Sequence, residues 1–294
     1  MKSLKKFVRE AEKTKTGIGH FNFTTHEMLR AIFDAARELS DEIDHPYEGG
    51  KIPVVVGVSE GERDWYGVIE SVAMVRTLRE VYDYPIFLNA DHTYSVERCQ
   101  EAIDAGFDMV IYDGVKETYE VNVANAKKVV EYRDEMNPEC LVEAELGYIG
   151  SGSSVKDEIP EGVGPDSMTD PAEAADYVAA TGVDMLAPSV GNLHGMVKSG
   201  NPALDNERVK DVRKQGGVPL VLHGGSGVSD EDFVASIKAG ISMIHISTEL
   251  RKVYREGLEN SLKEVESIAP YRYMPGAYES MKTVAKARMK LFLS

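Results

Sequence analysis

The sequence predicts a single α/β domain, a (β/α)8 TIM barrel spanning residues 1–294. Three observations carry that prediction. Eight short runs rich in Val and Ile alternate with longer stretches of helical periodicity, and such alternation implies parallel strands joined by crossovers. The chain has 294 residues, an ordinary length for one such barrel. Polar residues gather at the ends of the apolar runs, and the C-terminal ends of barrel strands are where this fold keeps its chemistry. The competing architecture is an open doubly wound sheet. No GxGxxG follows the first run, which weakens its dinucleotide-binding version.

In order, the strands are TGIGHFN (16–22), IPVVVGVS (52–59), PIFLNAD (85–91), DMVIYDG (108–114), CLVEAELG (140–147), DMLAPSVG (184–191), VPLVLHG (218–224) and ISMIHIS (241–247). Between them, SVERCQEAIDAGF (95–107) places Val96, Cys99 and Ile103 on one helical face. VANAKKVVEYRDEM (123–136) does the same through Val123, Ala126 and Val130. Ser229 is an N-cap for a helix that turns Phe233 and Ile237 inward. Residues 148–170 break the rhythm with four glycines, two prolines and no apolar period, the mark of a long loop with a functional or disordered character. A helical extension is expected at 275–292.

Composition narrows the partners. A formal net charge of −16 argues against nucleic acid, whose binders need a basic face. It leaves room for a small phosphorylated ligand, because a local site can be positive on an acidic protein. No apolar run reaches membrane-spanning length, and the opening MKSLKKFVREAEKTKTG mixes charge signs without an apolar signal core. Cys99 and Cys140 form no CxxC pair, and read as structural thiols of a reducing cytoplasm.

The candidate site follows from register. Asn22, Ser59, Asp91 with His92, Asp113, Glu143 with Glu145, His194, His223, and His245 with Ser247 fall at or near strand ends. His92, His194 and His223 belong to strands three, six and seven. Several histidines converging on one rim compose a divalent metal site, and nearby carboxylates can fix their tautomers or act as acid and base. The bland reading is a set of unrelated polar rim residues. Gly224, Gly225 and Gly227 bring backbone amides close to a ligand beside the helix starting at Ser229, which would make an anion site; a plain turn of small residues is the alternative. No lysine lies on a strand, so Schiff-base chemistry is less natural than metal-based electrophilic catalysis.

GHFNFTTHEMLRAI, VVVGVSEG, NADHTYS, VIYDG, VEAELGYIG, LAPSVGNLHGMVK, VLHGGSG and STEL occur in that order over nearly the whole chain. They resemble the motifs of the class II, metal-dependent fructose-bisphosphate and tagatose-bisphosphate aldolases. The resemblance implies Zn²⁺ bound by His92, His194 and His223, with Glu145 as a ligand in an alternative ion position. Asp91 matches the aspartate that exchanges a proton with the C4 oxygen. Gly195, Gly224, Gly225 and Ser226 match positions that hold dihydroxyacetone phosphate, some of which also frame a monovalent cation (Na⁺ or K⁺). Asn22, Ser59, Lys198, His245, Ser247 and Thr248 fall within matched segments and are expected to touch substrate. The implied reaction is reversible cleavage of a ketose bisphosphate by a cytoplasmic homo-oligomer, a dimer or tetramer, with YESMKTVAKARMKLF as an expected interface.

Two departures matter. Where the family carries a loop of the type GGxED, this chain reads GSGSSVKDEIPEG, with Ser153 in the register of the glutamate that moves the C1 proton. Glu158, or Asp157 as second choice, would then supply the carboxylate, with Gly150 and Gly152 as hinge. On strand eight, HIST replaces the family's NVNT or NIDT, so His245 stands where an asparagine is usual. Two other functions stay open at this point: a zinc hydrolase on the same barrel, and a non-catalytic homologue that binds metal and sugar phosphate.

Overall fold

The computed structural model describes residues 2–294. Its strands are β1 (Ile18–Asn22), β2 (Val54–Val58), β3 (Ile86–Thr93), β4 (Met109–Tyr112), β5 (Leu141–Leu146), β6 (Val155–Lys156), β7 (Met185–Pro188), β8 (Met196–Val197), β9 (Leu220–Leu222) and β10 (Ile241–Ile246). Eight of them, all but β6 and β8, form a closed parallel barrel in which β10 pairs back onto β1. The TIM-barrel expectation therefore holds, and each expected run contains its strand except the third, where β3 continues two residues past 91 to Thr93. The barrel strands are buried along their length, β2 at every residue, as parallel sheets covered on both faces must be.

The helices are α1 (Leu4–Thr14), α2 (His26–Glu42), α3 (Glu60–Tyr66), α4 (Val68–Tyr82), α5 (Val96–Ala105), α6 (Tyr119–Met136), α7 (Pro171–Thr181), α8 (Asn206–Gly216), α9 (Asp230–Ala239), α10 (Thr248–Glu264) and α11 (Pro270–Phe292). Their starts carry the expected chemistry. Ser95 accepts from the Arg98 amide, Ser229 from that of Asp232, and Asp170 caps α7 with Pro171 at its first position.

The charged N-terminal segment is an amphipathic helix. Leu4, Phe7, Val8 and Ala11 of α1 are buried, and Lys5 and Val8 share a groove with Leu141 and Met185, which begin β5 and β7, and with Pro219, which precedes β9. Lys5 Nζ lies 3.1 Å from Asp184 Oδ1. The N-terminal end of the barrel is thus covered, leaving the opposite mouth for chemistry.

Two expectations need correction. Residues 148–170 are not wholly irregular: β6 pairs in parallel with β8, Val155 opposite Met196 and Lys156 opposite Val197, so the loop is stitched to the segment after His194. The final helix begins at Pro270 rather than 275, and its apolar face, with Ala277, Met281, Ala285, Met289 and Phe292, is buried within its own chain. That face is used up against α10 and α2. An interface between copies on this helix would have to use the opposite face, where Glu279, Thr283, Ala287 and Lys290 are exposed.

Candidate active site

The cavity at the C-terminal mouth is lined by Asn22, Ser59, Asp91, His92, Glu145, His194, Gly195, His223, Gly224, Ser226, His245, Ser247 and Thr248, together with Asp113, Ser153 and Arg251. Of the residues singled out from sequence, Glu143, Asp157, Glu158, Lys198, Gly225 and Gly227 do not line it. Lys198 Nζ is 2.6 Å from Asp157 Oδ1, both largely exposed, so it is drawn outward along the β6–β8 ribbon. The Gly225 amide is spent on the His245 carbonyl at 3.1 Å. Glu158 is exposed on the loop.

Asp91 and His92 are consecutive, and a regular strand would send them to opposite faces. Here the register slips. Ala90 pairs with Val110 but Thr93 with Tyr112, so β3 carries one extra residue, a bulge of the kind that re-aims side chains. His92 has φ 39°, in the left-handed region that non-glycine residues seldom occupy. The buried Arg63 guanidinium binds this corner, donating to the carbonyls of Val58 (2.8 Å) and Asp91 (3.1 Å) and to Thr93 Oγ1 (2.9 Å).

One donor atom each from His92, Glu145, His194 and His223 lies within 4.8 Å of the others. The outer partners fix the histidine tautomers. His194 Nδ1 faces the Gly150 carbonyl at 3.0 Å, and its Nε2 is buried without a partner. His223 Nε2 is 2.7 Å from Glu143 Oε1, and its Nδ1, 2.8 Å from Glu145 Oε1, makes no hydrogen bond. His92 Nδ1 is 2.9 Å from Asp113 Oδ2, which leaves Nε2 the lone pair. Three imidazoles and a carboxylate, with His194 Nε2, His223 Nδ1 and Glu145 Oε1 buried and unpartnered, fit a divalent ion such as zinc.

The electrostatics agree. Burial opposes a charge on His92, but Glu145, Asp91 and Asp113 outweigh it and lift its pKa to about 9. Burial is likewise outweighed at His223, which Glu145 and Glu143 raise well above the ordinary histidine value. Glu145 is held down at about 2 against its burial by His92 and His223. Burial, reinforced by His92, takes His194 down to about 4. The surrounding carboxylates thus favour positive charge where a cation would sit.

Asp91 is hydrogen-bonded at one oxygen and approached at the other. Asn22 Nδ2 donates to its Oδ2 at 2.8 Å, and His245 Nδ1 lies 3.3 Å from its Oδ1. Asn22 is itself shared with Glu62 Oε2 at 2.9 Å. Burial would raise the Asp91 pKa, yet His92 and His245 hold it well below the carboxylate range.

The helix that serves the cavity is α10, not α9. Ser229 caps α9, and Asp230, Glu231 and Asp232 fill its first turn, so its positive end is already compensated. At α10, Ser247 makes no cap hydrogen bond, its Oγ is buried without a partner, and Ser247 and Thr248 line the cavity. Ser226 Oγ accepts from the Glu249 amide at 3.1 Å, tying the glycine turn to that helix. An open helix start of this kind can hold an anion. Gly224 has φ 63°, and a Cβ there would sit 2.1 Å from the Leu193 carbonyl oxygen; at Gly195, φ 99°, it would meet the Ser154 carbonyl at 2.4 Å. Neither position admits a side chain.

Arg251, one turn into α10, puts a cation on the cavity wall and pairs with Glu62. The sequence reading passed over it. The available signal was helical phase, since it follows Thr248 by three residues.

A family model described as fructose-bisphosphate aldolase class-II matches residues 2–294. The fructose-bisphosphate aldolase of Staphylococcus aureus strain Mu50 is 35% identical over 297 aligned residues, covering 99% of this chain and 96% of the relative. That of Staphylococcus epidermidis strain ATCC 12228 is 34% identical with the same coverage. The crystal structure of the YdjI aldolase from Escherichia coli K12 matches with a TM-score of 0.80 at 28% identity, covering 99% of this chain and 97% of that one.

Proposed function

This chain belongs to the class-II fructose-bisphosphate aldolase family, and from that premise we propose that it is a zinc-dependent lyase that reversibly cleaves a ketose 1,6-bisphosphate to dihydroxyacetone phosphate and an aldehyde phosphate. The observation that carries the reading is the donor set of His92, Glu145, His194 and His223 sharing one cavity with Asp91 and the N-terminus of α10. A divalent ion held by that set supplies the electrophile that polarises the substrate carbonyl and spreads the charge developing as the bond breaks.

The chain's own residues do the rest. Gly195, Gly224, Ser226, Ser247 and Thr248 receive the triose-side phosphate, and a monovalent cation would bind beside the same turn; Gly225, its amide held by the His245 carbonyl, shapes that turn from behind. Arg251 takes the distal phosphate. Asn22 and Ser59 orient the sugar. As the C3–C4 bond breaks, the C4 hydroxyl proton passes to Asp91 and the aldehyde leaves. A carboxylate from the 148–170 loop, Glu158 with Asp157 as second choice, returns a proton to the former C3, which is C1 of the triose phosphate. Glu158 is exposed in this arrangement, so the loop must close over substrate for that step. Lys198, released from Asp157, would follow it inward.

The protein acts as a homo-oligomer on this reading. Leu262, Ile268 and Tyr271, at the α10–α11 turn, are 54%, 95% and 73% exposed and offer apolar surface to another copy. Free Cys99 and Cys140, both buried, suit a reducing cytoplasm. Among the described residues no helix is long and apolar enough to cross a membrane. The test of the proposed activity is release of triose phosphates from fructose 1,6-bisphosphate and tagatose 1,6-bisphosphate. Release from either supports it. Binding without release in every condition would favour the non-catalytic reading, whose support is Ser153 lining the cavity in place of an acid.

A further inference from the structure

His20 and His245 face each other across the β1–β10 pair, directly opposite in register. Their rings stack with centroids 3.5 Å apart and planes within 5°. The stack continues onto His223, whose ring centroid is 4.1 Å from that of His245. All three lie in the barrel interior, His20 fully buried and His245 nearly so. The place where such barrels usually pack branched apolar side chains is here occupied by imidazole.

One nitrogen each from His20 and His245 lies within 4.8 Å of a carboxylate oxygen of Asp91, which invites a reading as a second metal centre. The ring geometry argues against it. Imidazole lone pairs lie in the ring plane, and one ion cannot sit in two parallel planes 3.5 Å apart. A different role fits the packing. His245 Nδ1 lies 3.3 Å from Asp91 Oδ1, an ion-pair distance outside hydrogen-bonding geometry, on the side opposite the Asn22 hydrogen bond to Oδ2. His20 is fixed in turn: its Nε2 meets Asn89 Nδ2 at 3.1 Å. Its ring fills the space over Gly57 of β2, where an added Cβ would lie 2.2 Å from His20 Cε1. His245 therefore cannot tilt toward β1, and its ring stays against the carboxylate.

We propose that the His20–His245 stack is a brace that sets the orientation of the Asp91 carboxylate, with His245 in contact with Asp91 and His20 acting as a positioning residue through His245. The proposal rests on the proton-transfer role given to Asp91 above. It explains why His245, standing where the family usually has asparagine, comes with an imidazole at position 20 and a glycine at position 57: the three residues share one volume. Misplacing a reacting group by about 1 Å can cost about 10²-fold in rate, so a brace two residues removed from the substrate still reaches the chemistry.

The experiment separates the Asp91 step from the rest of the cycle. Full-length, zinc-loaded wild type, His20→Ala, His20→Phe, His245→Asn and Asp91→Asn are compared for metal content, for kcat and KM of bisphosphate cleavage, and for exchange of the C1 proton of dihydroxyacetone phosphate with solvent. That exchange does not require Asp91. His20→Ala and His245→Asn should lower kcat for cleavage about tenfold or more, with KM, metal content and proton exchange within about threefold of wild type. His20→Phe, which keeps a ring on the stack, should recover most of the loss. Equal losses of cleavage and exchange, undiminished cleavage in His20→Ala, or no recovery in His20→Phe would overturn the brace. Wild-type cleavage by Asp91→Asn would instead overturn the role assigned to Asp91. Nitrogen-15 NMR of the imidazoles decides the brace even if neither bisphosphate is a substrate: it requires His245 as the Nδ1–H tautomer in wild type, and an Nε2–H tautomer there contradicts it.

Discussion

Asp91 and His92 are neighbours in the chain, and both face the same cavity because a bulge in β3 turns one of them around. The residue that staples the bulge is Arg63, which donates to the Asp91 carbonyl and to Thr93 on either side of His92. Asp91 and His92 are thus placed by a side chain that does not itself line the cavity.

Arg63→Met should therefore weaken metal binding without removing a ligand. Losing the buried guanidinium leaves three acceptors short of a donor, at roughly 1–3 kcal/mol each where no water replaces it, and frees His92 from its left-handed conformation. We expect zinc affinity to fall about tenfold or more, with a lower melting temperature. Competition with a chromophoric chelator measures the first and calorimetry the second. Wild-type affinity would mean that the bulge holds without Arg63.

His92→Ala, His194→Ala and His223→Ala should each lose bound zinc in elemental analysis. Glu143→Gln is more discriminating. Glu143 touches His223 Nε2 at 2.7 Å and is fully buried, and partners of this type contribute about 10–100-fold in metal affinity. Full occupancy in all three alanine variants would refute the donor set.

The barrel was legible in the sequence because parallel strands buried on both faces leave continuous apolar runs, such as VVVGV, that no helix period explains. The convergence of His92, His194 and His223 was legible for a related reason, since strand ends share one rim. The bulge was not, because a one-residue insertion in NADHT looks like ordinary strand. The helix start expected to serve the cavity was that of α9, and Ser229 looks like an open N-terminus until Asp230, Glu231 and Asp232 are counted against it; the start that lines the cavity is that of α10. Arg63 and Arg251 were missed because their roles depend on burial and on partners 28 to 189 residues away. The β6–β8 ribbon is two residues long, too short for any periodicity.

The mobile carboxylate is tested on the loop itself. The Gly150 carbonyl accepts from His194 Nδ1, so the base of the loop is anchored at the metal donors while Glu158 stays exposed. Glu158→Gln should slow exchange of the C1 proton of dihydroxyacetone phosphate about 10²-fold or more with little change in its binding. Asp157→Asn should lose less. Unchanged exchange in both single variants and the double variant would eliminate this assignment.

The buried imidazole of His20 makes the fold sensitive to acid. Burial lowers its pKa from 6.5 to about 4, so the folded state resists a proton that the unfolded chain accepts. The contribution is fully present above pH 6.5 and is lost as the pH falls toward 4, up to about 3 kcal/mol. Urea midpoints of the metal-free protein should fall over that interval, and fall less steeply in His20→Phe. Parallel pH profiles for the two proteins would count against it.

The central claim is that a metal held by the histidine cluster runs aldol cleavage in this cavity. A coupled assay for triose phosphates, with fructose 1,6-bisphosphate and tagatose 1,6-bisphosphate as substrates, tests it most directly when run on chelator-treated and zinc-restored protein. The account predicts cleavage of at least one bisphosphate, its loss in the chelated protein, and its return with zinc. Cleavage that survives complete metal removal, or none of either substrate with zinc bound, would contradict it.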